Sequence, residues 1–135
     1  MKIGFVGFSA SKFDEAKAQK TIDLIFRSII PHFDDRIEIV SGTTYMGIPG
    51  MIYEEASKYG YKTIGVMCKE GYECDLYPCD EIYAIGDNWG DESKTFIKMI
   101  DILFRIGGGP QTLKEVEMAK ARGIPVYEYE LLEIK

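Results

Sequence analysis

Short apolar, β-branched runs alternate along this chain with longer segments whose apolar residues recur every three or four positions. The runs lie at residues 2–8, 37–41, 62–67, 81–85, 102–106 and 126–129, and each reads as a strand. The clearest helical pattern covers residues 14–30, where Ile22, Ile25, Phe26, Ile29 and Ile30 mark one face. Asp14 suits the N-cap, and Pro31 is expected to stop that helix. A second helix is expected from Pro49 to Gly60, since proline favours a first turn and glycine the position past the end. A third is expected over residues 92–100, capped near Asp91, and a fourth over residues 113–122, with Thr112 as N-cap and Gly123 closing it. The exception to the alternation is CKEGYECDLYPCD, residues 68–80, which has no helical period and reads as a loop.

Strands alternating with helices predict a single α/β domain over residues 1–135. Its sheet is expected to be mainly parallel, with about five or six strands and helices on both faces. Ligands of such sheets bind at the carboxyl ends of the strands. The loops after the first, second and fifth strands are expected to converge there.

Composition narrows the chemistry. A formal net charge of −6 with dispersed acidic residues argues against coating a nucleic acid, which needs clustered Lys and Arg. A small anion stays compatible, because backbone amides at a helix N-terminus hold phosphate without side-chain charge. Cys68, Cys74 and Cys79 form no CxxC pair and the one histidine, His32, is remote, so reduced cysteines are expected in place of a metal site. No run approaches the length of a membrane span. A cytoplasmic location is expected.

Three loops carry candidate ligand contacts. After the first strand come Gly7, Phe8, Ser9 and Ser11; after the second come Gly42, Thr43, Thr44, Gly47 and Ile48; after the fifth come Gly108, Gly109, Pro110, Gln111 and Thr112. Tyr45 and Trp89 lie on loops at the same edge, where either ring is placed to stack on a base. Familiar phosphate motifs do not fit. Gly42 and Gly47 are followed by Ile48 and Pro49 where a Walker loop needs Lys and Ser or Thr, and no GxGxxG follows the first strand.

The stretch GGGPQTLKE, residues 107–115, resembles the PGGxGTxxE signature of the lysine-decarboxylase-like LOG family, within the SLOG superfamily of Rossmann-like nucleotide binders. Gly108, Gly109, Thr112 and Glu115 match, while Gly107 replaces the proline and Gln111 the third glycine. GTTYMGIPG, residues 42–50, is similar to the family's earlier GGGxxGxMG, and YKTIGV, residues 61–66, to the strand that follows it. The resemblance implies a Rossmann-like fold, a nucleotide or sugar phosphate held by the glycine loops, and a homodimer or higher homo-oligomer. It also implies an arginine–glutamate pair that cleaves the N-glycosidic bond of a nucleoside 5′-monophosphate, with Glu115 as the catalytic carboxylate. The arginine's place holds Glu92 and Ser93, or Ser93 and Lys94 with a one-residue gap; Lys94 would keep a positive charge without the planar fork.

Three functions follow as expectations: a module binding a nucleotide or nucleotide-derived ligand, an N-glycosidase, and a carrier of a phosphorylated pterin such as the molybdopterin of molybdenum cofactor. Thr112 and Glu115 also spell a T-x-x-E capping box, which accounts for both residues without any ligand.

Overall fold

The computed structural model describes residues 1–33 and 35–134. Six strands form one sheet: β1 (Lys2–Gly7), β2 (Glu38–Ser41), β3 (Lys62–Met67), β4 (Glu81–Ala84), β5 (Ile102–Ile106) and β6 (Val126–Tyr129). Their order across the sheet is β4-β3-β2-β1-β5-β6, and every neighbouring pair is parallel. The chain steps outward from β1 to β4, then returns to lay β5 against the other side of β1. Connections therefore diverge between β1 and β5, which opens a crevice at the carboxyl ends of those two strands.

Helices α1 (Glu15–Leu24) and α2 (Gly47–Lys58) cover one face; α3 (Ser93–Met99) and α4 (Pro110–Arg122) cover the other. Alternation along the strands feeds both layers. Ile3 and Phe5 of β1 enter the α1–α2 core with Ile22, Phe26, Ile52 and Phe104, while Val6 joins Val40, Leu103, Phe96 and Val116 under α3 and α4. Phe5 stacks between Phe26 and Phe104, with ring centroids 5.7 and 5.2 Å away.

Several element boundaries differ from the sequence expectation. Asp14 does cap α1, its Oδ1 accepting the Lys17 N–H at 3.1 Å. Pro31, however, does not end the segment: α1 widens into a π turn at Ile25–Ile29 and tightens into a 3-10 turn at Ile30–His32 that contains the proline. The extra π residue lets Ile25, Phe26 and Ile30 all reach the core while Ile29 stays half-buried. Residues 68–80 contain a 3-10 turn, Lys69–Glu73, and then pack along the β2–α2 loop, where the Thr43 carbonyl accepts the Tyr77 N–H at 2.8 Å.

The fourth helix starts earlier than expected. Pro110 is its first residue and Gly109 its N-cap, so Thr112 is inside the first turn and is not the cap. No side chain caps this end, and the expected capping box is absent. Proline at a first helical position, already visible in the sequence, outweighs the T-x-x-E spacing. At the other end Gly123 closes α4 in the left-handed conformation, φ 83°, as expected.

Candidate functional site

The crevice between β1 and β5 deepens into a cleft of about 290 Å³. Its floor is apolar, made by Phe5 and Val6 of β1, Val66 and Met67 of β3, and Phe96 of α3. Around it stand Gly7, Ser9, Ala10 and Ser11 from the β1–α1 loop, then Ser41, Gly42, Thr43, Thr44 and Pro49 from the end of β2 and the start of α2. Trp89 and Glu92 close the α3 side, and Gly109, Pro110, Gln111, Thr112 and Glu115 form the α4 wall. The three loops thus meet at one edge of the sheet. No Lys, Arg or His lines the cleft among the described residues.

The consecutive glycines 107–109 divide their work. Gly107 and Gly108 have φ of 63° and 112°, and a Cβ there would stand 2.7 Å from the Phe8 ring and 2.5 Å from Thr112 Cγ2 respectively. Both serve the sharp turn from β5 into α4. Gly109 is different: its backbone is extended and a Cβ would meet nothing within 4 Å. Gly109 lines the cleft, so a ligand there meets backbone without a side chain.

Beyond it, α4 presents an uncapped N-terminus. Pro110 has no N–H, and the Leu113 N–H bonds back to the Gly109 carbonyl at 3.1 Å; the first-turn N–H groups of Gln111 and Thr112 have no intrahelical acceptor. Thr112 as a residue is 6% exposed, and its hydroxyl, which makes no hydrogen bond among the described residues, keeps its access to solvent. An unpaired hydroxyl open to the cleft thus stands beside free amides at the positive end of a helix, an arrangement suited to an anion.

Glu115, one turn further along α4, is 8% exposed and its Oε2 accepts the Ser93 hydroxyl at 2.9 Å. Burial pushes its carboxyl up from the ordinary 4.5 to about 7; the Ser93 hydrogen bond opposes this, and the Glu92 charge adds to it. Glu92, 6% exposed, accepts the Gly90 N–H through both oxygens at 3.4 and 3.2 Å, and the Gln111 side-chain amide through Oε1 at 3.1 Å. Glu115 is therefore not turned back toward Thr112 as a capping box would have it.

Other expected contacts lie elsewhere. Phe8 is buried, its ring 5.9 Å from that of Phe13, and does not line the cleft. Ile48 is fully buried, and its N–H donates to the Phe8 carbonyl at 2.8 Å, so neither its side chain nor its amide faces a ligand. Gly47 and Gly108 lie outside the lining, occupied with the close packing of their own turns. Lys94 is exposed and away from the cleft, so it supplies no charge there. Tyr45 leans on Tyr77, 5.7 Å between centroids, and does not line the cleft, whereas Trp89 does.

Of the residues that the sequence resemblance aligns with an arginine, Glu92 and Ser93 are buried and Lys94 is exposed, and only the structure reveals that Ser93 donates to Glu115. The apolar floor from β3 and Phe96 was hidden in core-forming runs that look the same whether or not a ligand lies above them. Arg105, the buried arginine of β5, does not line the cleft. It donates to Glu128 Oε1 at 2.9 Å, to Glu130, and to the Gly107 carbonyl at 3.2 Å, bracing the glycine turn from β6. Among the described residues no cluster of metal-binding side chains occurs, and the three cysteines are free.

No protein-family model matches this sequence, and no curated protein does. Solved structures do match. The chain is similar to the molybdenum cofactor binding protein of the phototrophic bacterium Rippkaea orientalis, with TM-score 0.74 and 21% identity over 94% of this chain and 74% of that one. The molybdenum cofactor carrier protein of Chlamydomonas reinhardtii gives 0.71 and 20% over the same shares. TM1055, a structural-genomics target, gives 0.72 and 18% over 93% and 71%. Likeness at this level of identity establishes a shared Rossmann-like α/β fold.

Proposed function

We propose that this chain is a binding module for a small phosphorylated ligand, a nucleotide or a nucleotide-like pterin, held in the cleft at the β1–β5 switch. One observation carries the reading: the uncapped first turn of α4, with the unpartnered Thr112 hydroxyl, faces a ligand-sized cleft. The amides of Gln111 and Thr112 seat the phosphate, and Ser9, Ser11 and Thr44 supply hydroxyls from the opposite loops. The volume is near the lower end of small-molecule sites, which suits one mononucleotide-sized molecule. Structural neighbours named for molybdenum cofactor support including phosphorylated pterins, and the phosphate seat fits them as well as it fits nucleotides.

Mass spectrometry of the purified protein under native conditions, followed by thermal titration with nucleoside monophosphates and pterin phosphates, tests the reading. A ligand at 100 times its Kd stabilises the fold by about 2.7 kcal/mol. If no such compound shifts the transition at millimolar concentration, the reading fails.

A second reading, cleavage of a nucleotide N-glycosidic bond, is favoured by Glu115, a cleft carboxyl held near neutrality. An ionised carboxylate stabilises the positive charge that develops as the base departs. Here, burial and Glu92 disfavour that ionised form. We therefore expect release of free base from nucleoside 5′-monophosphates to be slow or undetectable. Robust release, lost in Glu115→Gln, would make the protein an enzyme.

A further inference from the structure

The α3 side of the cleft, next to the phosphate seat, has its own chemistry. It carries two buried carboxylates and no basic side chain among the described residues, so a second anionic group has no partner there. A hydrogen-bond donor does. Glu92 has about four acceptor positions on its two oxygens. Gly90 takes one on each oxygen and Gln111 a second on Oε1, which leaves Oε2 with one free. The Gln111 side chain is exposed. Its amide donor rests on the carboxylate from the rim, where a ligand amine can displace it into solvent without leaving a buried group unpaired.

The surroundings of Glu92 favour a flat ring. Trp89, three residues earlier, is half exposed at the cleft wall, so its indole face is open for stacking. Val66, Met67 and Phe96 offer an apolar floor. Thr112 and the α4 amides meanwhile hold the ligand's phosphate, and the Thr112 hydroxyl, unpaired and open to the cleft, points independently to an occupant.

We infer that the occupant is a phosphorylated planar heterocycle with adjacent N–H donors, the H–N–C–NH2 edge shared by guanine and 2-amino-4-oxopteridines, read by the Glu92 carboxylate. This inference rests on the phosphate-seat reading above. Glu92 Oε2 accepts the ring N–H, and Oε1 accepts the amine once Gln111 swings out. A carboxylate facing two parallel N–H donors makes a bidentate, charge-assisted pair.

Calorimetric titration of the intact protein with matched compounds tests it. One pair is guanosine and inosine 5′-monophosphate; the other is 6-hydroxymethylpterin phosphate and its lumazine counterpart, which has oxygen in place of the amine. The amino member of at least one pair should bind about tenfold tighter or more, the scale of one good bidentate contact. The pair that shows the contrast identifies the source, purine or pteridine. In Glu92→Gln the contrast should shrink to below about threefold, since the amide offers one acceptor where the carboxylate offers two. If both pairs bind equally in the native protein, the inference is overturned and the phosphate seat survives. If none of the four binds, both fall.

Discussion

The N-termini of α2 and α4 look alike in sequence and behave differently in the structure. Each follows the carboxyl end of a strand, each lies beside glycines, and each has a proline in or near its first turn. At α2, Gly47 adopts φ 73°, and a Cβ there would stand 2.5 Å from the carbonyls of both Phe8 and Ser9. The next amide, that of Ile48, is bonded to the Phe8 carbonyl. That end is sealed against the β1–α1 loop. At α4 the corresponding glycine, Gly109, opens onto empty space, and the first-turn donors stay free. Glycine in the first place permits chain-on-chain contact; in the second it permits a ligand. Spacing alone does not separate the two, because both uses need a residue without a side chain.

Breaking the sealed end should have the largest effect. Gly47→Val forces a branched residue into the left-handed region and into two backbone carbonyls, at a combined cost of roughly 3 kcal/mol or more. Urea denaturation should show the loss. A change below about 1 kcal/mol would mean that α2 is not held against the β1–α1 loop as described.

The next effect sharpens the other side of the comparison, the buried acid of α4. The Glu115 carboxyl is raised from 4.5 to about 7 on folding, so the folded state binds its proton more tightly than the unfolded state. Its stabilising contribution is fully present below pH 4.5 and is lost as pH rises through about 7. A gap of about 2.5 pH units corresponds to about 3 kcal/mol. Glu115→Gln, which keeps the shape and stays neutral, should remove that slope and leave the variant more stable than the parent at pH 8. Equal stability of the two at pH 5 and at pH 8 would show that burial does not govern this carboxyl.

The sheet was legible in the sequence because each strand is an apolar run bounded by turn residues, and the strand–helix alternation dictates parallel pairing. The cleft was legible in part. Gly7, Ser9, Ser11, Gly42, Thr43, Thr44, Gly109, Pro110, Gln111, Thr112 and Glu115 all line it. Whether they bind is for the experiments above. Phe8 and Ile48 misled because a loop residue next to a glycine can point inward as readily as outward. Glu92 was named only as standing where the resemblance expects an arginine, not as a buried carboxylate. Its burial depends on the approach of α3 to α4, a contact between segments about twenty residues apart that no local pattern encodes.

Filling the open end should affect binding far more than folding. Gly109→Val adds a branched side chain at the cleft wall, into open space and at an extended residue that tolerates it. Stability should stay within about 1 kcal/mol, the usual scale of an N-cap change. Affinity for any phosphorylated ligand should fall by about tenfold or more, because the backbone can no longer approach the anion. Thermal unfolding with and without ligand reads both quantities. Unfolding of the variant would place Gly109 with Gly47, as a packing residue, and dissolve the contrast between the two helix ends.

The smallest expected change in stability is also the one that separates the two accounts of Thr112. Were it an N-cap, replacing its hydroxyl would strip a first-turn amide of its acceptor, and Thr112→Val would cost about 1 kcal/mol. In the structure it is the third residue of α4, and its hydroxyl has no partner among the described residues. Valine has nearly the same shape, and no existing hydrogen bond would be lost. The folded protein should therefore change by less than about 0.5 kcal/mol. Ligand binding should suffer instead, by roughly tenfold, as one charge-assisted hydrogen bond to the anion disappears. Denaturation and calorimetric titration on the same variant settle the matter together. A stability loss with unchanged affinity returns Thr112 to the capping box, whereas unchanged stability with weakened affinity keeps it in the site.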